Sequence, residues 1–174
     1  MAATFTVEDG TGLSTSNAYI SLADADSYVE DHSATTTWSG ASDANQQKAI
    51  RLATQYLDAT YGARWRGTRY TDTQALDWPR TSFTDYNGNA TAYDEVPAAV
   101  EEACVELAIR VLAGDELLPV NPMPGVKSKA FHNATTGQTT VYEGGSLGSS
   151  KKDYPIVNAL LSGLVHQGGT VERS

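Results

Sequence analysis

The sequence predicts a mainly α-helical fold: a small helical bundle with a long aromatic loop, a β-hairpin, and flexible N- and C-terminal arms. Two segments, 42–61 and 97–113, have apolar residues at the 3.6-residue spacing of a helix. Residues 63–96 follow no regular period but contain two tryptophans, and prolines and glycines interrupt the chain after residue 118. A chain of 174 residues is long enough to build one core of this kind.

This pattern divides the chain into three parts. Residues 1–118 would form a helical core domain with an N-terminal lead-in. Residues 119–150 would form a segment rich in proline and glycine that contains the hairpin and a linker, and residues 151–174 a C-terminal docking helix and tail.

The first two helices are predicted from their ends. Residues 21–24, Ser-Leu-Ala-Asp, resemble a capping box and begin a short helix that extends to about His32. The segment that follows is rich in threonine, serine and glycine, which predicts a loop. Ser42 or Asp43 then begins a longer helix, and Gly62 is a natural stop for it.

The third helix is apolar around most of its circumference. Pro97 suits its first position, and Gly114 follows its end. Three of its few charged residues, Glu102, Glu106 and Arg110, form one stripe at i, i+4 spacing. A helix of this composition must be buried on more than one side.

Beyond the third helix, residues 126–133 and 139–142 predict the two strands of the hairpin. Asp153 and Pro155 begin a final helix of about 11 residues, which is too short to be stable alone in water. Its apolar stripe suits a groove on a partner, and the alternative is that it folds back onto its own bundle. The predicted docking residues are Ile156, Val157, Leu160, Leu161 and Leu164.

The formal net charge of −9 argues against tight, non-specific binding of nucleic acid. It suits a surface past which DNA slides without adhering. Two stretches, 61–80 and 126–174, are mildly basic at +2 each, and they alternate with acidic blocks, which favours contacts between copies. The sequence has neither a signal-peptide pattern nor an apolar run of membrane-spanning length, so we expect a chain made in a cytoplasm, with no membrane partner.

The titratable residues do not form a catalytic or metal-binding pattern, so we expect no enzyme, no cofactor and no metal. His32, His132 and His166 are far apart and lack metal-ligand spacing. Cys104 lies among apolar residues, where a cysteine behaves as a small hydrophobe. The acidic residues of 24–31 lack the spacing of a calcium loop and predict a solvated helix face.

One cluster combines arginines with a tryptophan, and a second tryptophan follows it in the sequence. Single-strand binders use such a combination, because the charges follow the phosphates and the rings stack on bases. The interpretation we favour is structural: the tryptophans anchor the long loop to the helices, and the arginines face acidic groups within or between subunits. The motif residues are Arg64, Trp65, Arg66, Arg69, Trp78, Pro79 and Arg80.

These residues belong to an ordered series of motifs. The series is Ala-Thr-Gln-Tyr-Leu-Asp at 53–58, Tyr-Gly-x-Arg-Trp-x-Gly-x-Arg at 61–69, Gln-Ala-Leu-x-Trp-Pro-Arg at 74–80 and Glu-Glu-Ala-x-x-Glu-Leu-Ala at 101–108. Over about residues 14–112, the chain resembles the head-to-tail connector, or adaptor, proteins of tailed bacteriophages. Similar sequences are also labelled DnaT-like single-strand binding proteins.

The resemblance implies a structural virion protein of the neck, made in the host cytoplasm, whose copies form a ring of about twelve around the DNA channel. One side of the ring would bind the portal protein and the other a stopper or tail-completion protein, while DNA passes without specific binding. The family supplies no catalytic residues. The alternative functions are a single-stranded DNA-binding replication factor, against which the acidic charge argues, and a small enzyme.

Overall fold

The computed structural model describes residues 4–32, 36–82, 84, 92, 94–118 and 153–166, and the backbone of 126–132 and 137–142. The chain divides into two compact units. The helical unit consists of Met1–Leu117 and Tyr154–Ser174, and the hairpin unit of Leu118–Asp153. The expected third part, 151–174, therefore does not stand apart, because nearly all of it belongs to the helical unit.

The described part of the helical unit is mainly α-helical, as predicted. Its helices are α1 (Leu22–His32), α2 (Thr36–Ser39), α3 (Asp43–Tyr61), α4 (Ala98–Leu112) and α5 (Pro155–Leu161). A 3₁₀ turn (Gly62–Arg64) follows α3, and two short antiparallel strands, β1 (Thr68–Arg69) and β2 (Arg80–Thr81), lie in the aromatic loop. None of the helices in the described residues is long and apolar enough to cross a membrane.

The ends of α1 and α3 follow from local chemistry. The Ser21 hydroxyl accepts a hydrogen bond from the Asp24 backbone N–H at 3.2 Å, which is one of the two bonds of the predicted capping box. The Asp24 carboxylate accepts at 2.5 Å from the Ser21 hydroxyl, whereas in a full capping box it would accept from the Ser21 backbone N–H. α3 begins at Asp43 and ends at Tyr61, as expected. Gly62 keeps right-handed helical angles, so the chain tightens into the 3₁₀ turn there.

The prediction of a loop over 33–41 is wrong for α2, because one helical turn forms there. The Trp38 side chain is buried, and its indole Nε1 donates to the Asp26 carboxylate at 2.7 Å. The Gln46 side chain donates to the Trp38 carbonyl at 3.1 Å. Burial of this large ring decides the local structure despite the polar composition around it.

α4 lies at the centre of the helical unit, where α1, α2, α3 and α5 all contact it. It begins one residue later than predicted, because Pro97 is extended and occupies the capping position. The side chains of Val100, Cys104 and Leu107 are fully buried. A helix that is apolar on most sides is thus covered within its own unit, so its composition alone does not require a neighbouring copy.

The described part of the N-terminal lead-in is packed, so the prediction of a flexible N-terminal arm is wrong for residues 4–20. Ala18, Tyr19 and Ile20 are buried in the core, and Phe5 packs against it. The Glu8 backbone N–H donates to the Ala18 carbonyl at 2.9 Å, so the two ends of the lead-in are held together. Apolar burial outweighs the glycines and polar residues that suggested a loose arm.

The prediction that the C-terminal helix is an uncoupled docking element is also wrong in the structure. α5 has seven residues and packs on α4, and Val157 and Leu161 are fully buried. Leu160 and Leu164 are partly buried against the same core. Only Ile156, at 41% exposure, still faces solvent among the five predicted docking residues. The alternative interpretation, that the helix folds back onto its own bundle, is therefore the correct one. The apolar stripe of α5 packs against α4 of the same unit.

The hairpin unit contains the predicted hairpin, with slightly different bounds. β3 (Val126–His132) pairs antiparallel with β4 (Gly137–Tyr142). The register places Lys129 opposite Thr140, and it is irregular between Val126 and Ser128. In the described residues this is a two-stranded sheet.

Candidate functional site

The arginine–tryptophan motif lies directly after α3, on the 3₁₀ turn and the strands β1 and β2. The two strands place Arg69 opposite Arg80, and the peptide bond between Trp78 and Pro79 is cis. Backbone hydrogen bonds join the motif to the C-terminal segment: the Arg66 N–H donates to the Leu164 carbonyl at 2.9 Å, and the His166 N–H to the Arg64 carbonyl at 2.7 Å. The motif is therefore fixed between two distant parts of the sequence.

Both tryptophans of the motif are core residues. Trp65 is 3% exposed and Trp78 is fully buried. Their rings meet edge to face with centroids 5.6 Å apart. The Trp65 ring also packs against the Tyr61 ring, with centroids 5.5 Å apart. This geometry suits aromatic packing. Neither ring has a face open for a nucleic-acid base.

The arginines mainly hold the loop backbone, and Arg69 and Arg80 also lie near the carboxylates of Asp58 and Asp77. The expectation that the arginines face acidic groups of a neighbouring subunit stays a prediction. Arg80, at 8% exposure, donates to the carbonyls of Arg66 and Gly67, each at 2.8 Å, and of Asp77 at 3.2 Å. Burial lowers its pKa, and the Asp77 carboxylate opposes that shift. An irregular loop leaves carbonyls without ladder partners, and a guanidinium has five N–H donors to satisfy them.

The other arginines make similar or weaker contacts. Arg66 donates to the Gly163 carbonyl at 3.1 Å, and Arg69 donates to the Gln74 carbonyl. The Arg64 guanidinium lies 5.5 Å from the centre of the Tyr61 ring. Arg64 and Arg69 are both exposed, so they are the part of the motif that a ligand could reach.

Gln74 organises the loop, and sequence reasoning gave it no role. Its buried side chain donates to the carbonyls of Leu76 at 2.8 Å and Pro79 at 3.0 Å, and accepts from the Thr71 N–H at 2.8 Å. All three bonds are made with the backbone of its own loop. Its place at the head of the 74–80 motif is the signal that could have identified it.

A polar pair, the buried Tyr19 and the half-buried Asp58, joins three segments beneath the motif. The Tyr19 hydroxyl donates to the Asp58 carboxylate and accepts from the Trp78 N–H at 3.3 Å. The other Asp58 oxygen accepts from the Asp77 N–H at 3.4 Å. The pair therefore ties the lead-in and α3 to the aromatic loop. Sequence reasoning missed it, although Asp58 closes the 53–58 motif.

The surroundings of the pair disfavour negative charge. Burial raises the pKa of Asp58 to about 7, and the Asp77 carboxylate adds to this, while the Tyr19 hydrogen bond and Arg69 act in the opposite direction. Burial and the neighbouring Asp58 raise the pKa of Tyr19 well above its ordinary value. The pair therefore holds a proton more firmly than the same groups would in water.

A buried carboxylate, that of Glu8, lies inside the lead-in. It accepts hydrogen bonds from the N–H groups of Gly10, Gly12 and Leu13 and from the Ser16 hydroxyl, at 2.8 to 3.3 Å. Gly10 has φ +92, and a Cβ there would lie 1.9 Å from the carbonyl oxygen of Asp94. The two glycines thus wrap the backbone around an internal anion.

The remaining titratable candidates do not assemble a reactive centre in the described residues. Cys104 is fully buried, and burial raises the pKa of its thiol to about 12, which keeps it protonated. His32 stacks on Tyr28 with centroids 4.6 Å apart. In the described part of the chain, no three His, Cys, Asp or Glu side chains converge so that they could hold a metal ion.

The comparison with known families gives one match. A family model described as "Putative DnaT-like ssDNA binding protein" matches residues 3–174. No curated protein and no solved structure gives a significant match. Because the family match spans nearly the whole chain, the chain belongs to this family of DnaT-like proteins.

Proposed function

We propose that the chain is a structural virion protein, a ring-forming head-to-tail adaptor that joins the portal to the tail or stopper around the DNA channel. The main observation in support is that the motifs that resemble the adaptors are framework residues. Leu57, Trp65, Trp78 and Leu107, one from each motif, are all buried in one core. Motif residues that build the core, and do not form a ligand site, suit a protein whose function is to assemble with other proteins.

The accessible chemistry of the motif also favours assembly over binding of single-stranded DNA. A single-strand binder offers open aromatic faces and free cationic groups to the strand. Here the two tryptophan rings pack edge to face in the core, and Arg80 donates to three backbone carbonyls. The net charge of −9 further opposes a polyanion.

The same charge suits the wall of a channel through which DNA moves. The exposed face of α1 presents Asp24, Asp26, Glu30 and Asp31. Like charges on wall and DNA prevent adhesion, provided that other surfaces hold the ring together. Portal and stopper or tail-completion proteins would bind on opposite sides of that ring in the virion neck.

The test is to purify the full chain with the portal protein of the same genome and to image the complex by cryo-electron microscopy. We expect a ring of this chain, of about twelve copies, below the portal. A chain that stays monomeric at every concentration and never associates with the portal would contradict the adaptor function.

A second candidate, binding of single-stranded DNA, is favoured by the family description and by three exposed residues. Arg64 and Arg69 are exposed, and Tyr70 beside them is 40% exposed. Fluorescence anisotropy with a labelled oligonucleotide at physiological salt tests this candidate. Micromolar or tighter binding that is lost in the triple alanine variant of these residues, but kept in Arg51→Ala as a control, would favour it over the adaptor.

A further inference from the structure

One side of α3 is exposed along most of the helix. The exposed residues recur every three or four positions, so they share one face over about 21 Å of the helix axis. Leu52, near the middle of this face, is 40% exposed and is one of four large apolar side chains exposed in the described part of the chain. We call this side the α3 face, and its residues are Asn45, Lys48, Leu52, Gln55 and Ala59.

The α3 face carries positive charge in an acidic chain. Lys48 is exposed on it, and Arg51 lies at its border, with the guanidinium 5.9 Å from the centre of the Phe5 ring. The acidic residues of α3 are not on this face: Asp43 is the first residue of the helix, and Asp58 bonds to the lead-in. The face therefore differs in sign from the whole chain, whose net charge is −9.

Negative charge is concentrated around the start of α4. Glu95 is exposed there, and Glu101 and Glu102 are half-buried. We call these three residues the α4 acidic patch, and Asp24 of α1 adds a further carboxylate near Glu101. Burial and the three neighbouring carboxylates raise the pKa of Glu101 to about 7. The charged groups that act on Glu101 in the described residues are thus all negative, so the patch lacks a balancing cation there.

The composition of the α3 face suits a protein partner better than DNA. Duplex DNA carries one charge for about every 1.7 Å of its axis, and proteins bind it with many cations. The α3 face offers the two cations Lys48 and Arg51, with the exposed side chain of Leu52 beside them. Apolar area next to a few charges is typical of a protein interface, in which the charges orient the partners.

A second copy of the chain supplies the complementary surface. Each copy has both an α3 face and an α4 acidic patch, and the two lie on different helices. A contact between two different surfaces is heterologous, so it can repeat from copy to copy around a ring. It does not use Asp26, Glu30 or Asp31 of α1, on the face that we assign to the channel wall.

We propose that the α3 face of one copy docks on the α4 acidic patch of the next copy, with Lys48 and Arg51 opposite its carboxylates and Leu52 covered. This inference rests on the proposed ring function and names the contact between neighbouring subunits. Assembly then brings cations to a patch that lacks them in the described part of one chain.

Zero-length crosslinking tests the contact in the full chain, assembled with the portal protein of the same genome. A carbodiimide joins a lysine amine to a carboxylate only where the two groups touch. A mixture of isotope-labelled and unlabelled copies shows by mass spectrometry which crosslinks join different chains. We expect such crosslinks between Lys48 and the α4 acidic patch. Lys48→Arg is the matched control: it keeps the charge but lacks the amine, so rings should form and this crosslink should disappear.

Charge reversal at the same position tests whether the contact holds the ring together. Lys48→Glu would place like charges opposite each other, so the concentration needed for half-assembly should rise by about tenfold or more at low salt. The effect should shrink at high salt. Lys48 is exposed, and both arginine and glutamate suit a helix, so both variants should fold. Light scattering measures the assembly, and circular dichroism verifies the fold.

The outcomes separate this inference from the proposed function. Normal rings from Lys48→Glu would overturn the contact and leave the adaptor function standing. Crosslinks from Lys48 to the portal protein, with none to the α4 acidic patch of another copy, would overturn it as well. An unsubstituted chain that forms no ring with the portal would contradict both proposals.

Discussion

The Tyr19 hydroxyl donates its hydrogen bond to the Asp58 carboxylate across 39 positions of sequence, and Tyr19 is buried while Asp58 is half-buried. The same hydroxyl accepts the Trp78 N–H, and Asp58 accepts the Asp77 N–H. One polar contact therefore fixes the aromatic loop against both the lead-in and α3. The free energy of unfolding of the helical unit therefore depends on whether Asp58 is protonated.

Stability should depend on pH through Asp58. Its folded-state pKa of about 7 exceeds its ordinary value of 3.8, so the folded chain binds this proton more tightly than the unfolded chain does. The contribution is fully present below the ordinary value and is lost as pH rises through about 7, with a slope of at most about 1.4 kcal/mol per pH unit. Urea unfolding between about pH 5 and about pH 8 should show this slope, and Asp58→Asn should reduce it. A smaller slope of the same sign should remain, because burial also raises the pKa of Glu101 to about 7. Equal slopes in both proteins would refute the assignment.

Removing the Trp78 side chain should strongly destabilise the chain. The ring is fully buried against Trp65, so Trp78→Ala should cost about 3–5 kcal/mol of unfolding free energy. Tyr70→Ala, in the same loop but exposed, is the matched control and should cost less than about 1 kcal/mol. Chemical denaturation of both variants measures the difference, and similar losses would show that the loop is not anchored through Trp78.

Glu8→Gln should destabilise the lead-in although the side chain keeps its shape. The amide replaces one acceptor oxygen by an N–H₂ group, which would face the N–H donors of Gly10 and Gly12 in one orientation and the N–H of Leu13 in the other. We expect a loss of about 1–3 kcal/mol in unfolding free energy. Asp9→Asn changes a neighbouring exposed carboxylate and should have a much smaller effect. An unchanged melting temperature for Glu8→Gln would show that the loop does not depend on this charge.

Substitutions at two residues of α5 should show that one side of this helix is part of the core and the other is surface. Leu161 is fully buried and Ile156 is exposed, so Leu161→Ala should cost about 2–5 kcal/mol and Ile156→Ala far less. Hydrogen exchange of the isolated chain should show protected amides in α5. Rapid exchange across Pro155–Leu161 would restore the idea that this helix becomes ordered only on a partner.

Local signals in the sequence were enough to predict several elements. The capping pattern at Ser21 and the period of α3 depend on residues a few positions apart, so α1 and α3 have the expected bounds within a residue. The signal that predicted the hairpin is also local, because its two strands are close together in the sequence. α2 was missed because its one turn depends on burying Trp38 beneath distant residues, which no local pattern contains.

The candidate site was less predictable, because its contacts are long-range. An apolar stripe has the same sequence whether its groove lies on a partner or on α4, so α5 was assigned to the wrong partner. The charges of Arg66 and Arg80 suggested carboxylates, but the sequence does not reveal which backbone carbonyls lack partners. Tyr19 and Asp58 each look ordinary alone, and only the fold brings them together.

The hairpin unit leaves the helical unit after Leu117 and returns to it at Tyr154, and both of these side chains are buried. α5 is held after that return by α4 and by the hydrogen bond from the Tyr61 hydroxyl to Asn158 at 2.7 Å. The covalent path through the hairpin is therefore not what keeps α5 in place. A protease nick within the hairpin unit would leave two polypeptides that migrate as one particle under native conditions and separate only in denaturant.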